Sequence, residues 1–421
     1  MHVHIPELIE YDLANGMHVI LHRDEHVPLV AVNLWYHVGS NDEDASRTGF
    51  AHLFEHMMFQ GSANVGRTEH FTYIQNVGGT LNASTTQDRT NYYQTLPASH
   101  LELGLWLESD RMLTLDVTSS NFENQRAVVK EERRQRYDNR PYGRAYETII
   151  PEVFPDGAYH WTTIGSMQHL DEASIDEVIA FHREHYLPNN ASLAIVGSFE
   201  PDQARRAIER YFGSIPAGPE PRRGPCGSTP ITTVRRVTMT DGVALPMVMI
   251  AWRVGKRFSD VEAKLDIVAD LLAGGKSSRL YRSLVYDKHI AKEVEALNVS
   301  NKHAGIFLLR AIAQPGRSIE ELEQAIWQEL MSISGFTEHE LEKGKNRGTS
   351  MFVNSMQTIN GLADHLQMGY SFAHDALAGF RLNERSETIT LSEIDEAFRT
   401  YLTPNACAVL HVLPQAAGSS V

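Results

Sequence analysis

Residues 49–61 hold the densest chemistry in the chain: Gly49-Phe50-Ala51-His52-Leu53-Phe54-Glu55-His56-Met57-Met58-Phe59-Gln60-Gly61. If this stretch is helical, His52 and His56 lie four residues apart on one face, about one turn from each other. Two imidazoles so placed can present nitrogens to one metal ion at about 2.0–2.1 Å. Glu55 precedes His56 and shares roughly the same side, so it can stand over an open coordination position without ligating. That is the H-E-x-x-H arrangement run in reverse order. The plain alternative is a surface helix with two solvated histidines. Leu53, Phe54, Met57, Met58 and Phe59 argue against it, because such a helix is largely buried and two unpartnered imidazoles are costly there.

A catalytic zinc takes three protein ligands and leaves a fourth position open. Two histidines therefore call for a third donor from another element. Glu131 and Glu132, in Val128-Val129-Lys130-Glu131-Glu132-Arg133, sit on a helix expected over residues 120–138. Spacing alone does not choose between them, and leaves Glu102, Glu108 and Glu123 open as well.

The elements that must position these groups read as follows. Asn15-Gly16 is a hairpin signal between short apolar runs. A further strand is expected over 29–38, the histidine-bearing helix over 49–59, an extended stretch over 78–96, and helices over 101–113 and 120–138. Residues 214–230, SIPAGPEPRRGPCGSTP, are dense in Pro and Gly and read as a linker. The two sides of it repeat each other. Tyr186-Leu187-Pro188-Asn189-Asn190-Ala191 recurs as Tyr401-Leu402-Thr403-Pro404-Asn405-Ala406. Each copy follows a helix-like stretch and leads into an apolar strand. The expectation is an α+β protein of two homologous domains, each a mostly antiparallel sheet packed with helices. The zinc-binding domain would span 1–213, the linker 214–230, and a homologous domain without a metal site 231–421.

The chain has 421 residues, with Lys+Arg 38 against Asp+Glu 53 and a formal charge of −15. The acidic balance argues against nucleic acid or an anionic membrane surface as the main partner. No apolar run nears the roughly 20 residues that span a bilayer. Cys226 and Cys407 cannot form a disulfide framework, and neither belongs to a CxxC pair. Gly275-Lys276-Ser277 hints at a phosphate loop, but Asp270 stands where the leading glycine of that motif belongs, and nucleotide binding is rejected.

With these residues in view, the sequence resembles the pitrilysin/insulinase metallopeptidases, in the small two-domain form that includes the mitochondrial processing peptidases. The likeness rests on Gly39-Ser40-Asn41-Asp42-Glu43, on Gly49 through Gly61, and on Gly79-Thr80-Leu81-Asn82-Ala83-Ser84-Thr85 with Asp88, Thr90 and Tyr92. Arg126, Val128, Val129 and Glu132 complete it. The resemblance implies a zinc metallopeptidase acting on peptides or small unfolded polypeptides. One Zn2+ per chain would be held by His52, His56 and Glu132, with Glu55 as general base. It also implies that Gly79, Thr80, Leu81, Asn82 and Ala83 form an edge strand that pairs with the substrate peptide.

The sequence departs from the family pattern in two places. Gln125 stands where a second glutamate often precedes the ligand. In the second half, a run like L-R-x-x-x-G-L-A-Y would supply an Arg and a Tyr that grip substrate. Here residues 284–292 put Val285 at the Arg position and Lys292 at the Tyr position, with Tyr286 and Lys288 out of register. The resemblance then implies a homologous partner subunit that brings the Arg–Tyr pair, the two closing around the peptide as a heterodimer. A catalytically silent subunit of the same fold is the alternative. Bacterial members with separate partners are often exported, so a periplasmic location is expected, with cytoplasmic as the alternative; residues 1–6 carry no signal peptide.

Overall fold

The computed structural model describes residues 4–415. Its contacts divide the chain into two compact units.

The first unit is built from the chain up to Arg133, from Trp161–Pro225 and from Val353–Phe380. Its sheet has six strands: β1 (Ile9–Asp12), β2 (His18–Arg23), β3 (Leu29–Tyr36), β4 (Thr80–Thr85), β5 (Thr90–Pro97) and β6 (Ala191–Gly197), in the order β1-β2-β6-β3-β5-β4. Only β2 and β6 run parallel; the other neighbours are antiparallel. Gly16 takes φ +86° in the turn between β1 and β2, a conformation that suits glycine. The extended stretch expected over 78–96 is two strands, folded back at 86–89 and held in register from Thr80↔Thr95 to Thr85↔Thr90. The helices that matter for the site are α1 (Phe50–Met57), α2 (Glu69–Asn76), α3 (Leu101–Thr114) and α4 (Ser119–Arg133).

The second unit is built from Arg134–His160, Cys226–Phe352 and the chain from Arg381. Its five strands are β7 (Arg235–Asp241), β8 (Met247–Val254), β9 (Ala291–Ser300), β10 (Gly305–Ala313) and β11 (Ala408–Pro414). Their order, β7-β11-β8-β10-β9, repeats the order β2-β6-β3-β5-β4, with β7 and β11 the parallel pair. Each sheet is thus mixed but mainly antiparallel and covered by helices, an α+β architecture.

The units are not the contiguous stretches 1–213 and 231–421. Each takes one helix from the opposite half of the sequence. Helix α5 (Ala145–Val153) buries Ala145, Ile149, Ile150 and Val153 in one cluster with Met247, Ala251, Ile306 and Leu410 of the second unit. Helix Ile359–Ala373 packs on β3 and β6 of the first unit. There the fully buried Gln367 donates to Asn33 O and Ser192 O at 2.8 Å and accepts from Ser192 Oγ at 2.5 Å. The apolar face of a helix shows in its periodicity, but the sheet that will bury that face does not. No regular element occurs between Phe212, which ends a helix, and Arg235.

Candidate metal centre

Helix α1 begins where the sequence forces a sharp entry. Gly49 precedes it with φ +97°, and a Cβ there would lie 2.9 Å from Ile164 O. Glu43 closes the helix end. It is buried, and its carboxylate accepts the Gly49 N–H at 2.9 Å, the Ala51 N–H at 2.8 Å and Trp161 Nε1 at 3.1 Å. A carboxylate is favoured at a helix N-terminus, where backbone N–H groups point outward. Burial nonetheless pushes the Glu43 carboxyl up to about 8, against the opposing effect of those bonds.

Leu53, Phe54 and Met57 anchor α1 inward and are fully buried. Phe54 packs on Phe181 and Tyr186, at 5.5 and 5.1 Å between ring centres. Behind them lies a buried ion pair, Glu108 with Arg111 on α3, whose guanidinium sits 4.3 Å from the Tyr92 ring centre and 5.0 Å from that of Phe59. Glu108 is thereby committed to Arg111. Burial holds His70, the neighbouring imidazole on α2, well below its usual range.

Helix α4 crosses α1 and brings the carboxylate. Asn121, Phe122, Gln125, Val129 and Arg133 are its buried positions. Arg126 donates to Ala173 O, Lys130 pairs with Asp171, and Arg133 donates to Gly165 O at 2.6 Å. Glu132, three residues after Val129, falls on the inward side, whereas Glu131 is exposed. The burial of Val129 and exposure of Val128 separate the two, a difference that the paired valines do not show in the sequence. Glu102 pairs with Arg210 at 3.1 Å, and Glu123 with Arg126 at 3.4 Å, so neither enters the centre.

His52, His56 and Glu132 converge, each offering one ligand atom within 4.8 Å of the others. Glu132 Oε1 lies 3.7 Å from His52 Nε2, and Oε2 lies 3.2 Å from His56 Nε2. Bonds of about 2.0–2.1 Å in a tetrahedron place ligand atoms about 3.3–3.4 Å apart. The three residues can each turn one donor atom to a shared point, and two imidazoles with one carboxylate are a donor set that suits a zinc ion with a fourth position open.

Glu55 lies outside that ligand set. Its Oε2 accepts the Thr85 hydroxyl at 2.6 Å, across from the end of β4. Burial raises its carboxyl, while the Thr85 bond and His56 oppose the rise. β4 is an edge strand that includes Thr80, Leu81, Asn82 and Ala83, whereas Gly79 lies just before it. Thr80 and Asn82 on it are exposed, Leu81 is half-buried and Ala83 is buried. The Ala83 N–H donates to Asn82 Oδ1 at 2.9 Å. Arg89 braces the β4–β5 hairpin by donating to Ser84 O at 2.8 Å and to Asn91 Oδ1 at 3.0 Å, over the Trp35 ring. The sequence reading assigned no role to Glu43, Thr85 or Arg89. Glu43 and Thr85 end two of the stretches that carry the resemblance, Gly39–Glu43 and Gly79–Thr85, but nothing local in the sequence names their partners.

In the second unit, residues 284–292 lack the Arg and Tyr of the expected run. His289, at the glycine position, has φ +50°. Val285 packs against the second unit's core, Lys292 is exposed on β9, and Tyr286 is 73% exposed. Lys288 pairs with Glu329 at 2.5 Å.

Known proteins agree with this architecture. The sequence pattern described as Insulinase (Peptidase family M16) matches residues 18–160, and that described as Peptidase M16 inactive domain matches residues 172–347. The zinc protease PqqE of Helicobacter pylori is 28% identical over 373 residues, 86% of this chain and 82% of that protein. The crystal structure of a protease from Helicobacter pylori superposes with a TM-score of 0.91 at 26% identity, covering 98% of this chain and 100% of that one. An M16-like peptidase from Alicyclobacillus acidocaldarius shares the fold, with a TM-score of 0.85 at 20% identity over 99% of this chain and 100% of its own. Two matched patterns that together span most of the sequence, a shared two-domain α+β fold and relatives called zinc proteases place this chain in the insulinase (M16) family of peptidases.

Proposed function

We propose that the chain is a zinc metallopeptidase subunit that hydrolyses peptides or small unfolded polypeptides. The observation that carries this reading is the convergence of His52, His56 and Glu132 with Glu55 beside them but outside the ligand set. Zinc bound there would serve as a Lewis acid and lower the pKa of a bound water to about 7. Glu55 accepts the proton of the attacking water and returns it to the leaving amine. The β4 edge, with Gly79 through Ala83, takes the substrate as an added strand, and backbone N–H and C=O groups fix the scissile bond. The buried Glu43 cap and the α4 anchors keep the two histidines and Glu132 in place.

Attack on a peptide carbonyl develops an oxyanion, and losing one donor to it typically costs about 10²–10³ in rate. Val285 offers no donor. Lys292 is a point charge on a flexible stem, and Lys288 is engaged by Glu329. A homologous subunit carrying an Arg–Tyr pair supplies what is missing, in a heterodimer. Among the described residues no helix is long and apolar enough to cross a membrane.

The test is a fluorogenic-peptide assay on the zinc-loaded chain alone and mixed with a homologue that carries the pair. The expected result is little or no hydrolysis alone and clear hydrolysis in the mixture. Full activity alone removes the partner from the account. Inactivity in every mixture, with zinc bound, favours the silent-subunit reading.

A further inference from the structure

Thr85 is the last residue of β4, the strand proposed to receive the peptide, and its hydroxyl is 2.6 Å from Glu55 Oε2. We infer that Thr85 is a positioning residue that fixes the carboxylate of Glu55 relative to the docked substrate. The inference rests on the reading of Glu55 as general base.

The geometry gives the hydroxyl a specific task. Glu55 is attached to α1 beside His56, and a glutamate side chain has three rotatable bonds. Without a second tether, its carboxylate could swing toward the ligand atoms of His52, His56 and Glu132 or away from them. Thr85 supplies the tether from outside the helix, and the bond occupies one carboxylate oxygen while leaving the other available to a proton.

The tether is itself rigidly held. Thr85 faces Thr90 in the β4–β5 register, and the turn that follows is closed by the Thr86 N–H to Arg89 O at 2.9 Å. Arg89 then donates to Ser84 O, immediately before Thr85, at 2.8 Å. A peptide added along β4 and the base bonded to the end of β4 therefore share one frame. This is the arrangement that converts docking into orientation, and a misplacement of about 1 Å in such a frame costs about 10²-fold in rate.

The experiment compares wild type, Thr85→Val, Thr85→Ser and Glu55→Gln, each zinc-loaded and assayed in the form that cleaves peptide, alone or with its homologous subunit. Thr85→Val keeps shape and removes the donor, whereas Thr85→Ser keeps the donor. The expected result is a fall of about 10²-fold in kcat for Thr85→Val with KM within about twofold, and a kcat within about threefold of wild type for Thr85→Ser. A second readout needs no turnover. In the cobalt-substituted chain, the visible absorption spectrum should change in Thr85→Val and stay as wild type in Thr85→Ser.

Thr85→Val with wild-type kcat and an unchanged cobalt spectrum overturns the inference while leaving Glu55 as base, provided that Glu55→Gln is inactive. An active Glu55→Gln enzyme overturns both. A loss confined to KM assigns Thr85 to peptide binding and overturns the positioning role.

Discussion

Replacing Glu43 with alanine should destabilise the first unit by about 2–4 kcal/mol, although Glu43 lies outside the ligand set. Its carboxylate accepts two α1 backbone N–H groups at 2.8 and 2.9 Å in a site where Glu43 is 7% exposed. Truncation leaves the Gly49 and Ala51 N–H groups without that acceptor, at about 1–3 kcal/mol for each buried unsatisfied donor. Trp161 Nε1 loses less, since it also donates to Ser40 O at 2.8 Å. Relief of the buried carboxyl's own desolvation offsets part of the cost, which brings a sum of about 2–6 kcal/mol down to about 2–4. For a unit of this size 1 kcal/mol moves Tm by about 2–4 °C, so the drop should be about 4–16 °C. Calorimetry on metal-free protein isolates the cap from metal binding. A shift below about 2 °C would show that α1 does not depend on this carboxylate and that the positioning argument is mistaken.

Gly49→Ala should cost at least about 2 kcal/mol, because φ +97° is strained for alanine and its Cβ would press on Ile164 O at 2.9 Å; urea unfolding gives the value, and a change below about 0.5 kcal/mol would remove the steric requirement. The Glu43 carboxyl, pushed up from 4.5 to about 8 in the fold, takes up a proton on folding. Its contribution is fully present below about pH 4.5 and lost as pH rises through about 8. Between pH 5 and 8 the wild type should therefore lose stability relative to Glu43→Gln, and urea midpoints of the two that stay parallel would contradict this.

Much of the centre was legible because it is local. The i, i+4 histidines and the apolar residues between them define one helix face before any fold is known. Residues 49–59 were expected to be helical, and the structure has Phe50–Met57. The carboxylate that meets the two histidines was harder to read. Glu131 and Glu132 are adjacent, and helical rotation of about 100° per residue sends one outward. Choosing between them from the residues requires the buried register around Val129. Thr85 was beyond sequence reading, since a threonine near the end of a strand is ordinary and its partner lies 30 residues away. The exchanged helices were hidden for a related reason. α5 and Ile359–Ala373 show their apolar faces plainly, but Gln367 meets Ser192 across 175 residues, and nothing local encodes that pairing. The repeat at Tyr186 and Tyr401 pointed to duplication, and the matching strand order of the two sheets is the fuller form of that signal.

The most direct measurement is zinc per chain, by atomic absorption after exhaustive dialysis, in wild type and three single variants. The account predicts one zinc in wild type and in Glu131→Gln, and near zero in His56→Ala and Glu132→Gln, with circular dichroism confirming that each is folded. One tightly held zinc in His56→Ala, or loss from Glu131→Gln with retention in Glu132→Gln, would contradict it.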